Sequence, residues 1–325
     1  MRVVIVGCGL IGQKRACALG DCRVVVCCDR VTERAQALAA RCPGAIVAAD
    51  WQQAVSRPDV DAVIVATTHD MLAPVAELAA SQGKHVFVEK PGARRAGELD
   101  PVAAAAQRHG VAVRIGFNHR YHRTFRKARE IFDSGALGPP MYVRARYGHG
   151  GRTGYEKEWR ADPVISGGGE ALDQGVHLVD LARWFLGDFS SVQGQLQTYF
   201  WQMPVEDNAF FLLRTAEGRI ASLHASWTEW KNLFNFELFC RMGKLEISGL
   251  GGSYGVERLS CSRMSAAMGP PETTSYEYPM ADDSWQCEFT EFLEDIRVRR
   301  ESRPGIADAQ AALRVIERLY QGQGS

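Results

Sequence analysis

Short apolar runs alternate with stretches of helical composition over residues 1–118. Within the runs, apolar residues follow one another without alternation, which is typical of strands buried on both faces of a parallel sheet. The stretches between them suit helices that cross over such a sheet. The pattern therefore predicts an α/β fold with a doubly wound parallel sheet. The predicted strands are 3–6, 23–28, 45–48, 61–66, 85–88 and 111–115, and the predicted helices are 32–41, 51–56 and 71–81.

The pattern changes after Gly116. A basic amphipathic helix is predicted at 124–134, a strand at 141–147 and a second helix at 172–186, before runs between 192 and 247 in which apolar and polar residues alternate. Such alternation is typical of an antiparallel sheet with one buried face. We therefore expect a Rossmann-like domain at 1–118 and a second α/β domain, with a large, mostly antiparallel open sheet, at 119–325. Helices predicted at 284–298 and 307–320 could pack back on the first domain.

The first predicted strand ends in a glycine-rich turn, GCGLIG. Gly7 permits the turn, Gly9 lets the backbone approach a pyrophosphate, and Gly12 allows the following helix to pack close to the strand. Asp29 closes the second predicted strand 20 positions after Gly9, where a carboxylate can accept hydrogen bonds from a ribose. Strand, turn, helix, strand and acid in this order predict a dinucleotide site.

Composition excludes several classes of partner. The 325 residues include 38 Lys and Arg against 38 Asp and Glu, so no net charge attracts nucleic acid or an anionic membrane. No apolar stretch reaches the ~18 residues of a membrane span, and no signal peptide is recognisable, so we expect a cytoplasmic protein. The nine cysteines show no zinc-binding spacing and are interpreted as reduced thiols; no metal is predicted.

A lysine follows the strand predicted at 85–88, in the sequence Glu89-Lys90-Pro91. Ligands of open α/β sheets bind beyond the carboxyl ends of the strands, so Lys90 is a candidate for contact with a bound cofactor and substrate. Proline restricts Lys90 to extended backbone, and the bond between them can be cis. The alternative is an ordinary solvated charge.

An acid and a histidine four residues apart, Asp173 and His177, follow three consecutive glycines. On a helix they would share one face, where the carboxylate could orient an imidazole that titrates near neutrality. A surface pair, or Asp173 at a capped helix start, is the structural alternative. A further polar stretch, GFNHR at 116–120, could line a cleft or serve only as a hinge.

Taken together, five motifs resemble those of the glucose-fructose oxidoreductase, inositol dehydrogenase and rhizopine-catabolism (Gfo/Idh/MocA) family of NAD(P)-dependent oxidoreductases. They are GCGLIG, Glu89-Lys90-Pro91, GFNHR, Trp159-Arg160 and GGGEALDQGVHLVD. The resemblance implies a Rossmann domain followed by an α/β domain whose sheet forms homodimer or homotetramer contacts. It also implies that His177 is the acid/base, paired with Asp173, and that Lys90 hydrogen-bonds the reacting oxygen.

The candidate site residues follow from the turn and from this resemblance. The sequence departs from the family at Thr67-Thr68-His69, where members commonly carry Thr-Pro-Asn, so His69 is either a partial substitute or a plain loop residue. The candidate catalytic residues are Lys90, Asp173 and His177. Candidate cofactor contacts are Gly7, Cys8, Gly9, Leu10, Ile11, Gly12, Asp29, Arg30, Ala66, Thr67, Glu89, Lys90, Asn118, Trp159 and Arg160, and candidate substrate contacts are Lys90, Arg120, Tyr147, Arg160, Asp173 and His177.

These residues predict hydride transfer between a nicotinamide and a secondary alcohol or ketone carbon. Asp29 favours NAD, whereas its neighbour Arg30 leaves NADP open. The polar and aromatic loop 147–160 suits a polyhydroxylated ring that carries amino or phosphate groups or neither, although an ordinary solvated loop would look the same. The resemblance implies that the substrate is a sugar, sugar nucleotide, amino sugar or cyclitol. Three alternatives remain: an NAD-dependent glycosidase of related fold, a noncatalytic dinucleotide-binding regulator, and a structural oligomer built on the second sheet.

Overall fold

The computed structural model describes residues 1–265, 267 and 269–324, and the chain divides into two units. The first consists of Met1–Phe117, Val164–Gly167 and Trp285–Ala311, and the second takes Asn118–Pro163, Gly168–Ser284 and the C-terminal segment from Ala312. The first unit therefore includes a segment far beyond residue 118, namely Trp285–Ala311. No helix in the described part of the chain is long and apolar enough to cross a membrane.

A six-stranded parallel sheet forms the centre of the first unit, as the uninterrupted apolar runs predict. The strand order is β3-β2-β1-β4-β5-β6. Val3, Ile5, Ile64 and Phe87 are fully buried, since helices cover the sheet on its faces. The strands are β1 (Arg2–Val6), β2 (Arg23–Cys28), β3 (Ile46–Ala48), β4 (Ala62–Val65), β5 (His85–Glu89) and β6 (Val113–Gly116), and the helices are α1 (Leu10–Cys17), α2 (Thr32–Ala39), α3 (Trp51–Val55), α4 (His69–Ser81) and α5 (Asp100–His109).

The second unit carries an eight-stranded sheet in the order β14-β13-β12-β11-β7-β10-β9-β8. The β7–β10 pair is parallel and the other named pairs are antiparallel, so the expected mostly antiparallel sheet is confirmed. The sheet extends beyond the predicted end at residue 247. Its strands are β7 (Pro140–Gly148), β8 (Phe189–Gln197), β9 (Asn208–Thr215), β10 (Ile220–Ser226), β11 (Leu233–Cys240), β12 (Gly243–Ser248), β13 (Glu257–Arg263) and β14 (Glu272–Tyr278).

The remaining helices differ from the predicted ones at two places. The short helix Pro163–Ser166 was not predicted, and the helix predicted at 172–186 consists of two helices that Gln174 (φ −103°) separates. Gly175 then begins the second helix close to β9, where a Cβ would lie only 2.9 Å from the ring of Phe211. These helices are α6 (Arg123–Asp133), α7 (Pro163–Ser166), α8 (Glu170–Asp173), α9 (Gly175–Leu186), α10 (Ser284–Val298) and α11 (Ile306–Gln321).

Candidate functional site

The turn between β1 and α1 has the geometry of a phosphate-binding turn. Gly7 has φ +94°, and a Cβ there would lie 2.3 Å from the carbonyl oxygen of Ala66. A Cβ on Gly12 would lie 1.9 Å from the carbonyl oxygen of Gly7, so both positions require glycine. Gly9 is different, because nothing lies within 4 Å of the Cβ position there. The turn is thus closed by two glycines and open in front of the third, where a ligand could approach the backbone.

The carboxylate of Asp29 is fixed beside this turn. It accepts hydrogen bonds from the backbone N–H of Cys8 and of Val31, each at 2.8 Å. Asp29 is half-buried at the end of β2, whereas Arg30 is exposed. Since β1 and β2 are adjacent parallel strands, the turn and the acid stand at the same edge of the sheet.

The loop after β4 closes the other side of the turn. Ala66 donates its N–H to the carbonyl of Val6 at 2.8 Å, which places Ala66 and Thr67 directly behind Gly7. His69 is buried in the first turn of α4, and its Nδ1 lies 2.8 Å from the carbonyl oxygen of Ser166. One ring nitrogen of His69 is therefore hydrogen-bonded to a backbone carbonyl. Leu10 is exposed at the start of α1, and Ile11 beside it is half-buried.

A buried arginine connects α1 to the strand end that carries the candidate lysine. Arg15 is fully buried, with Nε 2.5 Å from Glu89 Oε1 and Nη1 2.7 Å from Glu288 Oε2. Its guanidinium lies over the rings of Phe87 and Trp285, at 4.1 and 4.3 Å from their centroids. Burial raises the pKa of Glu288 to about 7, although the Arg15 charge opposes this change. The contacts fix Glu89 directly before Lys90.

Lys90 itself is half-buried at the carboxyl end of β5, and its peptide bond to Pro91 is cis. It belongs to the first unit, together with the glycine turn and Asp29. The candidates Asp173 and His177 belong to the second unit, as do Asn118, Arg120, Tyr147, Trp159 and Arg160. Two groups of candidate residues are thus present, one in each unit.

In the second unit, a stack of rings surrounds the candidate acid/base. The imidazole of His177 lies parallel to that of His119, with centroids 3.9 Å apart and an interplanar angle of 20°. Tyr147 approaches both rings, at 5.2 Å from His119 and 6.2 Å from His177. All three residues are buried, and burial raises the pKa of the Tyr147 phenol well above its ordinary value. The stack therefore holds the imidazole of His177 in a buried position beside two other rings, and an imidazole is a side chain that can exchange a proton near neutral pH.

The structure pairs Asp173 with Arg160. Arg160 Nε lies 3.0 Å from Asp173 Oδ2, and the guanidinium lies over the ring of Trp159 at 4.5 Å. Asp173 ends α8 and His177 lies in the first turn of α9, so they are not on one continuous helix. The predicted motif Trp159-Arg160 is thereby brought to the predicted acid, and the ion pair presents both a donor and an acceptor.

Arg120 and Asn118 have structural partners. Arg120 forms two hydrogen bonds with Asp180, at 2.8 and 2.5 Å, and both side chains are buried. Asn118 donates from Nδ2 to Ser284 Oγ at 3.1 Å, and its Oδ1 lies 3.2 Å from His119 Nδ1. These bonds hold the short 3₁₀ turn at Asn118–Tyr121, and with it the ring of His119.

One buried carboxylate holds the glycine segment before α8. Glu206 accepts hydrogen bonds from the N–H of Gly169 (3.2 Å) and of Ala171 (3.0 Å) and from the Tyr320 hydroxyl (2.7 Å). A Cβ on Gly168 would lie 2.1 Å from the Tyr320 hydroxyl oxygen, and one on Gly169 would lie 2.1 Å from the Glu206 carbonyl oxygen. Close packing on Tyr320 and Glu206 therefore explains these two glycines.

Sequence reasoning missed Arg15, Glu288, Glu206 and Tyr320, and it gave His119 no role in a stack. Arg15 could have been noticed in the sequence, because it is a charged residue on the side of α1 that must face the sheet. Glu288 lies 273 residues from Arg15, and Tyr320 lies 114 residues from Glu206. His119 and His177 are 58 residues apart (177 − 119), and no local pattern marks such pairs.

Two family models match the chain. Residues 1–117 match "Oxidoreductase family, NAD-binding Rossmann fold", and residues 125–246 match "GFO/IDH/MocA C-terminal domain". The first match agrees with the open turn at Gly9 and the fixed carboxylate of Asp29.

Individual relatives share less than a third of their residues with the chain over the matched segments. Levoglucosan dehydrogenase of Pseudarthrobacter phenanthrenivorans is 29% identical over 179 residues, covering 52% of this chain and 44% of that protein. Inositol 2-dehydrogenase of Salmonella typhimurium is 32% identical over 202 residues, covering 59% and 57%. The chain thus spans about half the length of these curated relatives. The crystal structure of GenD2 from gentamicin A biosynthesis, in complex with NAD, superimposes with a TM-score of 0.85 at 25% identity, covering 100% of this chain and 94% of that one.

Proposed function

Because the chain belongs to the GFO/IDH/MocA oxidoreductase family, we propose that it transfers a hydride between a nicotinamide cofactor and a secondary alcohol or ketone carbon of a carbohydrate or cyclitol. The observation that carries the proposal is the buried imidazole of His177, stacked on His119, in a chain whose first unit has an NAD-binding fold. An imidazole titrates near neutrality and can move the proton that must accompany hydride transfer.

The first unit fits NAD. The free space in front of Gly9 leaves room for a pyrophosphate, and the N-terminus of α1 favours its negative charge. Asp29, held by two backbone N–H groups, can accept hydrogen bonds from the adenosine ribose and would repel a 2′-phosphate. NAD is therefore the preferred cofactor, while exposed Arg30 leaves NADP as the second choice. When bound, the nicotinamide supplies the hydride acceptor or donor.

Three side chains carry the proposed chemistry. During oxidation His177 accepts the proton of the substrate hydroxyl, and during reduction it returns that proton. Lys90 stabilises the negative charge that develops on the reacting oxygen. Asp173, paired with Arg160 at 3.0 Å, holds substrate hydroxyl groups and favours the protonated form of the imidazole.

A polyhydroxylated substrate agrees with the polar groups of the second unit. The ion pair of Arg160 and Asp173 offers a donor and an acceptor, and Trp159 offers an aromatic face. Relatives of this chain bear the names levoglucosan dehydrogenase and inositol 2-dehydrogenase. We therefore include sugars, sugar nucleotides, amino sugars and cyclitols in the substrate class.

The test is NADH absorbance with NAD or NADP across inositols, free sugars, nucleotide sugars and amino sugars. With the best substrate, His177→Ala and Lys90→Met should each lower kcat by about 100-fold or more, since general-base help contributes about 10²–10⁴. In calorimetry His177→Ala should bind NAD like the wild type, and Lys90→Met should lose much less NAD affinity than turnover. The control is His109→Ala, an exposed histidine at the end of α5. Unchanged turnover of His177→Ala would refute the assignment.

We also propose that the outer face of the second sheet joins two copies of this chain. Tyr142, Phe210, Leu212 and Ile220 are exposed by 36 to 49%, and the strand register places them on one face of β7, β10 and β9. Adjacent apolar side chains on an otherwise folded sheet are typical of an interaction surface. A twofold pairing would bury the same residues in both copies and give a homodimer, or a homotetramer if a second interface forms.

A further inference from the structure

A series of aromatic rings runs from the candidate substrate residues to the surface of the second unit. Tyr155 is buried and packs on Trp227, with centroids 4.9 Å apart. Its carbonyl accepts the N–H of Glu158 at 3.1 Å, and the Glu158 carboxylate lies 3.7 Å from Arg160, the partner of Asp173. From Tyr155 the series continues through Trp201 at 5.7 Å to Phe200 at 5.1 Å. It ends at Trp230, whose ring lies 4.7 Å from that of Phe200.

The outer members of this series are exposed. Phe200 is exposed by 55% and Trp230 by 63%, whereas Trp201 is half-buried and Tyr155 is buried. Two large aromatic side chains therefore face solvent side by side. Burying either ring would stabilise the fold substantially, so their exposure is unusual. Exposed aromatic clusters of this kind are typical of binding surfaces.

Hydrogen bonds hold the backbone that carries Phe200 and Trp201. The fully buried carboxylate of Asp207 accepts three consecutive backbone hydrogen bonds, from Tyr199, Phe200 and Trp201, at 2.8 to 3.0 Å. The indole N–H of Trp201 also donates to the Trp227 carbonyl at 3.1 Å. A backbone that is ordered before binding loses less conformational entropy when a ligand binds.

Trp230 also has an unusual backbone conformation. Its φ is +56°, in the left-handed region that a bulky side chain rarely adopts. Such conformations cost about 1–3 kcal/mol and are concentrated at functional sites. The backbone of Trp230 faces Gly150, where a Cβ would lie 3.1 Å from the Trp230 Cα. A glycine in the loop after β7 thus makes room for the strained tryptophan.

We propose that Phe200 and Trp230 form a stacking platform for a second ring of the substrate, so that the substrate is a glycoside of at least two rings. This proposal rests on the proposed function, because it extends the same substrate site outward from Asp173. The axial C–H groups of a sugar or aminocyclitol ring carry partial positive charge and pack well on the negative face of an aromatic ring. Two charged residues, Glu229 and Lys231, flank Trp230 in the sequence, and side chains of these types bond to hydroxyl or amino groups.

The experiment compares one-ring and two-ring ligands on the NAD-loaded protein. Dissociation constants are measured by calorimetry for glucose against maltose and for glucosamine against paromamine, an aminosugar joined to an aminocyclitol. In at least one pair, the two-ring ligand should bind about tenfold more tightly, which corresponds to ~1.4 kcal/mol. Trp230→Ala and, separately, Phe200→Ala should remove this advantage while leaving the one-ring ligand unchanged.

The control is Tyr199→Ala, which removes a neighbouring aromatic residue, exposed by 68%, from outside the ring series. It should keep the two-ring advantage. The proposal is wrong if neither pair shows the advantage in the wild type, or if both platform variants keep it. It is also wrong if Trp230→Ala changes the mass in light scattering, since the rings would then join copies of the chain.

Failure of this proposal is distinguishable from failure of the proposed function. The readout is binding, so a preserved two-ring advantage in His177→Ala supports the platform whatever the role of that histidine. A protein that binds the two-ring ligand but transfers no hydride would refute the proposed function alone. A protein that oxidises one-ring substrates and gains nothing from a second ring would refute the platform alone.

Discussion

Replacing Glu288 with Gln should change how the stability of the protein depends on pH. Glu288 is fully buried on α10, and burial raises the pKa of its carboxyl from an ordinary 4.5 to about 7. The facing charges are Arg15 and Arg114, which oppose this change, and Glu89, which adds to it. A carboxyl with a raised pKa binds its proton more tightly in the folded chain than in the unfolded chain.

The sign and size of the effect follow from that difference. The protonated carboxyl contributes stability that is fully present below pH 4.5 and is lost as the pH rises through about 7. The interval from 4.5 to about 7, at about 1.36 kcal/mol per pH unit, corresponds to ~3 kcal/mol. Gln does not titrate. The free energy of unfolding of Glu288→Gln minus that of the wild type should therefore rise by ~3 kcal/mol from acid to mildly alkaline pH.

Urea denaturation followed by circular dichroism, repeated at half-unit steps of pH, measures this difference. Glu294→Gln is the matched control, because Glu294 lies on the same helix in an exposed pair with Arg297 that lowers its pKa. Its difference from the wild type should not rise over the same interval. A difference for Glu288→Gln that stays constant to within about 0.5 kcal/mol would refute the reasoning.

Four further predictions concern the turn, the cofactor and the outer sheet face. Gly12→Ala should cost about 1–3 kcal/mol in denaturation, since its Cβ would lie 1.9 Å from the Gly7 carbonyl oxygen. Gly9→Ala should leave stability unchanged but weaken NAD binding in calorimetry by about tenfold or more, and equal NAD affinity would contradict the open-turn interpretation. The wild type should bind NAD more tightly than NADP in calorimetry, and Asp29→Ala should reduce the ratio of the two dissociation constants. Tighter binding of NADP by the wild type would contradict the choice of NAD as the preferred cofactor. Leu212→Arg should reduce the mass in light scattering to that of one chain, whereas an unchanged oligomer would exclude this face as the interface.

Much of the first unit could be predicted from local sequence. Strand β2 at Arg23–Cys28 has the predicted bounds, and β1 and β5 differ from theirs by one residue. Strands buried on both faces leave an uninterrupted apolar run, so they are visible without any knowledge of their partners. Helix α5 at Asp100–His109 was not predicted, although its alanine-rich sequence favours a helix.

The second unit was predicted in class but not in detail. Alternating residues indicated an antiparallel sheet, yet the parallel pairing of β7 with β10 joins strands about 80 residues apart and has no local signature. The spacing of Asp173 and His177 suggested one helix face, and in the structure α8 ends at Asp173 while His177 lies in the first turn of α9. The contacts of Asp173 with Arg160 and of His177 with His119 join more distant segments and had no local signature.

The sequence by itself determined the fold class, the glycine turn with Asp29, and the family motifs, since each depends on neighbouring residues and their backbone preferences. Only the tertiary structure decided the buried group of Arg15, Glu89 and Glu288 and the aromatic series that ends at Trp230. These contacts join distant segments, and burial is the largest cause of the raised pKa of the Glu288 carboxyl. A carboxyl is buried in this way only after the chain has folded, so its pKa cannot be predicted from local sequence.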